Sequence, residues 1–524
     1  MPPIETYYTK EAISFNGEEC QMDVQITTQA IHTLLCDGLI VAAGCQGAGQ
    51  EVYLTKTVSI VDGLLDGLIH ECCTEEEFKG KQGEILTIHP MGRLAAKRVI
   101  VIGLGNLQKI DSQTIQRASA IAARHLQNTG AHQIVLAIDA FRDLPERAQE
   151  IQAQLEGALL GLYTFRTYQQ TENGGKGISH IKLLAEEAKK AEFEQAAHKA
   201  RLLAEATNFA RNLVNEPPNV LTPRELANRT SAMAEAVGLE CEIWEKDKIA
   251  QLGMGGLLGV SQGSAQPPYF VILRYQGAPD KSKGMALVGK GITFDTGGIS
   301  IKPAQHMDTM KGDMAGAAAV IGAMQAIAQF KPPINVTALI PTCENMPSAT
   351  AYRPGDILRL MNGKTIEIVN TDAEGRLILA DALSYAAREG LSPIIDLATL
   401  TGGIVVALGS TLTGLFCNDE CLTNDILAAG RLAGEKYWPM PLDDEYNEQI
   451  KSDIADIKQT GGREASSVTA AKILEHFVGD AQWAHLDIAG TSYLESKKNY
   501  QERGATGVGV HTLTELVLHL AHNL

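Results

Sequence analysis

Arg98-Val-Ile-Val-Ile-Gly103, a stretch of helical spacing from Ser112 to Asn128, and then Gln133-Ile-Val-Leu-Ala-Ile138 decide the fold class. The two apolar, β-branched runs read as buried strands, and the stretch between them reads as a helix. A second helical stretch, Glu146 to Tyr163, follows. Strand–helix–strand alternation with short turns predicts an α/β fold on a parallel or mixed sheet. Thr171-Glu-Asn-Gly-Gly-Lys-Gly177 interrupts it and is a loop by composition. From Glu186 to about Val214 the chain is rich in Ala, Glu and Lys at helical spacing, which predicts one long helix carrying a domain boundary. The break at Asn215-Glu-Pro-Pro-Asn219 ends it. Thr222-Pro-Arg-Glu225 then opens a new helix: Thr222 suits the cap, Pro223 the first helical position, and Glu225 can reach back to the cap.

Beyond this break the alternation resumes. Met285–Val288, Val336–Ile340, Glu367–Val369, Ile394–Leu397 and His485–Ile488 read as strands, and the stretches after Asp313, Gly375 and Ser467 as helices. The expected layout is an α/β domain over 1–190, a linker helix over 191–214 and a larger α/β domain with a central mixed sheet over 215–524. A chain of 524 residues supports two such domains.

Composition narrows the functional classes. Hydrophobic residues make up 45% and charged residues 20%, as in a folded globular protein. The net charge of −17 disfavours nucleic acid or an anionic membrane surface as a partner. The nine cysteines form no CxxC pair, so a reducing compartment is expected and a disulfide framework is not. The N-terminal Met-Pro-Pro-Ile-Glu run has neither a basic nor an apolar segment, which argues against a secretory signal. The longest apolar stretch, Ile394 to Phe416, contains Asp396, several Gly and several Thr, and reads as two apolar pieces around a Gly-rich loop rather than a membrane span. Together these features predict a cytoplasmic protein.

Candidate chemistry crowds between residues 289 and 376. Gly289-Lys-Gly-Ile-Thr-Phe-Asp-Thr-Gly-Gly298, Ser300-Ile-Lys-Pro303, Met310-Lys-Gly-Asp-Met314 and Asn370-Thr-Asp-Ala-Glu-Gly-Arg-Leu377 each put Lys, Asp or Glu beside a Gly-rich turn at a strand end. Ligands of open α/β sheets sit at such ends. Four carboxylates, Asp295, Asp313, Asp372 and Glu374, repel one another in a common cleft unless cations neutralise them. Oxygen-rich sites of this kind suit divalent metals. Asp372 and Glu374 stand two apart, and in an extended segment they would face one side. Simpler readings stand beside these. Asp313 precedes a helix and an N-cap alone explains it; Asp372 and Glu374 suit the start of a helix by its dipole. Lys290, between two glycines, occupies a tight place where an amine can serve as ligand or base. Lys302 and Lys311 lie in the neighbouring pieces, and Lys302 is placed to stabilise an oxyanion.

Two nucleotide motifs fail. Gly284-Met-Ala-Leu-Val-Gly289-Lys290 has Gly291 where a P-loop needs Ser or Thr, and its middle reads as a strand. Gly103-Leu-Gly105 is followed by Gln108, which breaks the dinucleotide fingerprint. His485, in Trp483-Ala-His-Leu-Asp-Ile-Ala-Gly490, reads as structural rather than as a metal ligand.

Asn370-Thr-Asp-Ala-Glu-Gly-Arg-Leu377 resembles the signature octapeptide of the leucyl (cytosol) aminopeptidase family. The segments Val288–Gly298, Ile301-Lys-Pro303, Met310–Asp313, His485–Gly490 and Asn215–Asn219 match in order and spacing, so the resemblance covers most of 205–524. Over 1–190 it rests on domain layout. The resemblance implies an N-terminal α/β domain similar to macro domains, a peptidase domain, and assembly of six subunits. It implies a metallo-exopeptidase that removes N-terminal Leu and other mainly apolar residues from short peptides and aminoacyl amides through a water activated by two metals. Mn²⁺, Zn²⁺ or Mg²⁺ would be held by Lys290, Asp295, Asp313, Asp372 and Glu374. Lys302 and Arg376 would be the catalytic pair, with Arg376 holding bicarbonate as the general base. Met310, Thr399, Leu400, Gly402 and Ala489 would line the side-chain pocket, although core packing also explains them. Two other classes compete: a DNA-binding or regulatory role on another surface, which the acidity opposes, and a two-metal phosphotransferase or nuclease, which the octapeptide opposes.

Overall fold

The computed structural model describes residues 22–46, 51–139, 147–169, 177–280 and 284–523. The N-terminal run, Glu146 and the loop residues 171–176 lie outside them. The chain folds as two α/β units, one comprising residues 1–162 and 168–198, the other 163–167 and 199–524.

The first unit runs β1 (Asp23–Thr27), β2 (Gly38–Gln46), β3 (Glu51–Leu54), α1 (Lys56–Leu64), α2 (Leu68–Glu75), β4 (Ile85–Ile88), β5 (Val99–Asn106), α3 (Ser112–Asn128), β6 (Gln133–Leu136), α4 (Arg147–Leu162) and β7 (His180–Leu184). The two apolar runs that set the fold class are β5 and β6. Both lie parallel to β2, one on each side of it, with α3 as the crossover. Asp111 caps α3 by accepting from the Thr114 N–H. The sheet order is β1-β7-β6-β2-β5-β4, with β3 also paired to β2. Alternation divides its faces: Leu39, Val41, Val99, Val101 and Val135 join one core cluster, while their neighbours point to the other side.

A single helix, α5 (Lys190–Asn215), carries the chain into the second unit. There follow α6 (Pro223–Val237), β8 (Glu240–Trp244), α7 (Lys246–Gln251), α8 (Gly255–Ser261), β9 (Tyr269–Gln276), β10 (Met285–Gly289), β11 (Gly291–Asp295) and α9 (Ala315–Phe330). Next are β12 (Asn335–Asn345), β13 (Ile357–Arg359), β14 (Thr365–Glu367), α10 (Gly375–Arg388), β15 (Ile394–Ala398), α11 (Gly402–Leu408) and β16 (Thr413–Cys417). The chain closes with α12 (Glu420–Ala433), β17 (Tyr437–Pro439), β18 (Ile457–Lys458), α13 (Ser466–Glu475), β19 (Trp483–Asp487), β20 (Tyr493–Leu494), β21 (Gly504–Ala505) and α14 (Val510–Asn523).

Its main sheet is mixed, in the order β17-β16-β19-β15-β10-β12-β9-β8, with β11 also paired to β12. The central strands β19, β15, β10 and β12 run parallel. Helices cover both faces, so these strands are apolar on both. Met285 and Leu287 enter one core with the Ala-rich α9, and Ala286 and Val288 enter the other with α10. Helix α9 approaches closely because it is built of small residues; a Cβ on Gly316 would stand 2.1 Å from the Leu397 carbonyl oxygen.

Local readings were met in part. Thr222 caps α6 by accepting from Glu225 N–H, with Pro at the start of the helix. Glu225 does not reach back: its carboxylate binds Arg229 Nε at 2.8 Å, and the Thr222 N–H bonds the Val220 carbonyl instead. The apolar stretch from Ile394 is β15, the short helix α11 and β16, so the expected Gly-rich loop is helical. Among the described residues no helix is long and apolar enough to cross a membrane.

Candidate metal centre

The residues singled out from the sequence meet at the carboxyl ends of the parallel strands. Lys290 follows β10, Asp295 ends β11, Asn345 ends β12 and Thr399 follows β15. Asp313 leaves a 3-10 turn, Met307–Gly312, and Glu374 stands just before α10.

Lys290 is buried. Its Nζ lies 2.9 and 2.8 Å from the two oxygens of Asp313, 2.8 Å from Glu374 Oε1, and donates to the Thr399 carbonyl at 2.9 Å. Gly375 makes the room, since a Cβ there would stand 2.6 Å from Lys290 Cε. Lys302 Nζ lies 2.8 Å from Asp295 Oδ2 and also pairs with Asp372 Oδ1. Asp295 Oδ1 accepts from Gly297 N–H at 2.9 Å and Asn345 Nδ2 at 2.8 Å. Asp313 Oδ1 also accepts from the Thr399 hydroxyl at 2.7 Å. Oxygens of Asp295, Asp372 and Glu374 all lie within 4.8 Å of one another.

One simpler reading and one expected geometry fail here, while Glu374 does stand at the start of α10. Asp313 is no N-cap: Met314 holds that position in α9, and no side chain caps the helix. Asp372 and Glu374 converge, but not as an extended pair. Strand β14 ends at Glu367; Asp372 lies in a turn, and Glu374 has helical dihedrals ahead of α10. The turn brings them together where strand alternation would not. Lys311 stays out of the cluster and donates to the Asn215 carbonyl.

The electrostatics follow from burial. Counted with every group ionised, four carboxylates against two ammonium groups leave the cluster two charges negative. Burial, with the Glu374 charge nearby, pushes the Asp295 carboxyl up to about 6, and burial likewise raises Asp313. Burial also opposes charge on Glu374, but Lys290 and Lys302 outweigh it and hold that carboxyl at about 2. Burial disfavours the charged lysines in turn, yet the surrounding carboxylates hold Lys290 and Lys302 above the usual lysine range. Glu374 Oε2 is shielded from water and meets no donor among the described residues. Asp313 Oδ2 and Asp372 Oδ1 sit beside ammonium groups without an aligned hydrogen bond.

Sequence reading missed the residues that hold this loop in place. Gln459, fully buried, accepts from the Val369 and Asn370 N–H groups at 3.2 Å and donates to the Ala373 carbonyl at 2.9 Å. Its own carbonyl accepts from Arg376 at 2.9 Å. Thr371 bonds the Gly297 carbonyl at 2.6 Å, and Asn345 Nδ2 reaches the Thr371 carbonyl at 3.0 Å. Thr371 lies inside the octapeptide but was given no role, while Gln459 and Asn345 belong to no local pattern and only the fold brings them here. Arg376 is buried in the first turn of α10, and its Nε meets no acceptor among the described residues. Burial lowers its guanidinium to about 10, against the pull of Glu374.

Among the pocket candidates, Thr399 touches the cluster directly. Leu400 and Ala489 come together at Asp487, whose Oδ1 accepts from both N–H groups at 3.2 Å, and both pack on the core. Met310 is half-buried in the turn before Asp313, whose N–H bonds the Met310 carbonyl at 3.3 Å. Gly402 opens α11, and a side chain there would meet open space. His485 pairs with a carboxylate outside the cluster. It bonds Asp396 at 2.6 Å between the rings of Phe416 and Trp483.

Against known families, residues 208–514 match the model of the cytosol aminopeptidase family, catalytic domain, and residues 47–172 match the family's N-terminal domain. The chain belongs to the cytosol aminopeptidase family. It is therefore an aminopeptidase, a hydrolase of a metal-dependent family acting on peptides. A protein of Alkaliphilus oremlandii (strain OhILAs) named "Probable cytosol aminopeptidase" is 44% identical over 95% of this chain and 99% of its own length. One of the same name from Solibacter usitatus (strain Ellin6076) is 48% identical over 84% of this chain and 91% of its own. Among solved structures, a leucine aminopeptidase mutant from tomato is 33% identical with a TM-score of 0.85, covering 95% of this chain and 97% of that one. The bottromycin maturation enzyme BotP in complex with Mn is 32% identical with a TM-score of 0.81, covering 93% and 99%.

Proposed function

We propose that this aminopeptidase removes N-terminal Leu and other mainly apolar residues from short peptides and aminoacyl amides, using two divalent cations held by Lys290, Asp295, Asp313, Asp372 and Glu374. The observation that carries this reading is the cluster itself: four carboxylates from three segments, formally two charges in excess of the two ammonium groups, with Glu374 Oε2 meeting no donor among the described residues. Hard oxygen donors with one amine suit Mn²⁺, Zn²⁺ or Mg²⁺, and Lys290 would join them by giving up its proton. When bound, such a cation pair supplies Lewis-acid chemistry, acidifying water and polarising a carbonyl.

The chain's own residues do the rest. Lys302, partly exposed and tethered to Asp295 and Asp372, offers its ammonium to the oxyanion that develops at the scissile carbonyl. Arg376, a buried fork whose Nε meets no acceptor among the described residues, suits a small planar anion. It would hold bicarbonate, which supplies a general base when bound. Gln459 fixes both the octapeptide turn and Arg376. Thr399, Leu400 and Ala489 form the wall toward the substrate side chain, with Met310 and Gly402 at its margins. In this reading the chemistry belongs to residues 215–524, joined through 191–214 to the domain over 1–190. The protein works in the cytoplasm as a homohexamer, as the family resemblance implies.

The test is a metal-reconstituted assay on a panel of aminoacyl amides and dipeptides, with chelator controls. Leucinamide is expected to be cleaved only with metal, and N-acetylated substrates not at all. Efficient cleavage of acetylated peptides, or cleavage of phosphodiesters in place of amides, would refute the reading.

A further inference from the structure

The parallel pair β15–β19 parts beside the metal centre. Its ladder runs on to a bond from the Ile488 N–H to the Ala398 carbonyl at 2.9 Å. Beyond that bond the chain after β15 carries Thr399, Leu400 and Thr401, and the chain after β19 carries Ala489. Backbone N–H groups that leave a ladder need another acceptor. Asp487, the last residue of β19 and itself buried, supplies it. Its Oδ1 accepts from the Leu400 and Ala489 N–H groups, each at 3.2 Å, and its Oδ2 from the Thr401 hydroxyl at 2.6 Å. Thr401 Oγ1 in turn accepts from the Ile404 N–H at 3.1 Å and caps α11. One carboxylate thus ties together two strand ends and the start of a helix.

The residues it joins touch different things. Thr399 belongs to the metal centre: its hydroxyl donates to Asp313 at 2.7 Å, and its carbonyl accepts from Lys290 at 2.9 Å. Leu400, its neighbour, and Ala489, across the split, are half-buried apolar residues packed on one core. The turn after Ala489 is pinned as well, since a Cβ on Gly490 would stand 2.1 Å from the carbonyl oxygen of Gly409, at the end of α11. What a buried carboxylate adds over an apolar side chain is direction: its hydrogen bonds hold the attached backbone in a narrow range of geometry.

We propose that Asp487 is a positioning residue for substrate selection. It sets the spacing between the metal centre, through Thr399, and the apolar wall of Leu400 and Ala489. That spacing decides how well a branched aliphatic side chain is held while its peptide carbonyl lies at the metals. This role rests on Leu400 and Ala489 lining the side-chain pocket, as proposed.

The test compares kcat/KM for leucinamide and alaninamide in the metal-loaded full chain. A leucine side chain needs the wall; an alanine methyl uses little of it. In Asp487→Ala, kcat/KM for leucinamide is expected to fall about tenfold more than that for alaninamide, with bound metal unchanged. Asp487→Asn, whose amide oxygen still accepts from both N–H groups, is expected to restore most of the preference. Thr401→Val, of the same shape, removes the Oδ2 bond and is expected to give a smaller loss of the same sign; it decides the matter should Asp487→Ala fail to fold. Wild-type enzyme without a preference for leucinamide would refute the apolar pocket itself. A wild-type preference that survives in Asp487→Ala and Thr401→Val, equal losses for both substrates, or Asp487→Asn no better than Asp487→Ala would overturn the role of Asp487.

Discussion

Each unit gathers carboxylates at the carboxyl ends of parallel strands, but to different effect. In the C-terminal unit Asp295, Asp313, Asp372 and Glu374 are cross-linked by Lys290 and Lys302 and oriented by Asn345, Gly297 and Thr399. In the N-terminal unit Asp139, Glu150, Glu186 and Lys56 line an open hollow together with apolar side chains. The sheet prescribes where a ligand sits; the donors around it decide which. A dense set of fixed oxygens suits compact metal ions, whereas the N-terminal hollow has no such set among the described residues.

The comparison breaks first if the dense cluster is dispensable. Glu374→Ala is expected to lower leucinamide hydrolysis by on the order of 10³-fold and to reduce bound metal, measured by steady-state assay and elemental analysis. Near-normal turnover would remove Glu374 from the chemistry. Lys302→Ala sharpens the division of labour within the cluster. Here kcat is expected to fall by about 10²–10³-fold with metal content intact; a change confined to KM would show that Lys302 binds substrate instead.

Smaller effects test the scaffold. Gly375→Ala drives a methyl against the Lys290 stem and is expected to cost about 1–3 kcal/mol in denaturant unfolding, with loss of metal affinity. Unchanged stability would mean that Lys290 moves aside freely. The smallest effect at neutral pH concerns groups outside both sites. Burial opposes charge on Glu515, yet His511 and Lys199 hold its carboxyl at about 2. In the N-terminal unit burial likewise opposes Asp37, and Lys97 with the Gln133 and His132 N–H groups holds it at about 2. Both lie below their ordinary values, so the folded state binds fewer protons than the unfolded chain. Their stabilisation is complete above the ordinary carboxyl range and fades as pH falls toward 2. Acid unfolding of Glu515→Gln and Asp37→Asn is expected to be less steep in that window than wild type, and an unaltered slope would dismiss these pairs.

The legibility of the molecule divides along physical lines. Strands such as β5, β6, β10 and β15 are contiguous apolar runs, so local sequence reveals them. The cluster residues were legible because they sit in Gly-rich turns, and the octapeptide marks the turn that carries both Asp372 and Glu374. What escaped depends on distance along the chain. Gln459 lies more than 80 residues beyond the loop it holds, and Asn345 is 50 residues from Asp295. The turn geometry at Asp372 and Glu374 was read as extended because two-residue spacing alone does not distinguish a strand from a turn. Glu225 shows the same limit: a capping-box pattern was present, but Arg229 and Glu216 offered a competing ion pair. The N-terminal hollow left no signal, since its lining comes from short segments scattered between Thr28 and Phe193.

The most direct measurement is anomalous diffraction from crystals of the full chain soaked in Mn²⁺. The account predicts two peaks roughly 3.5–4 Å apart, ringed by Lys290, Asp295, Asp313, Asp372 and Glu374. Peaks elsewhere, or none beside those side chains at saturating metal, would contradict it.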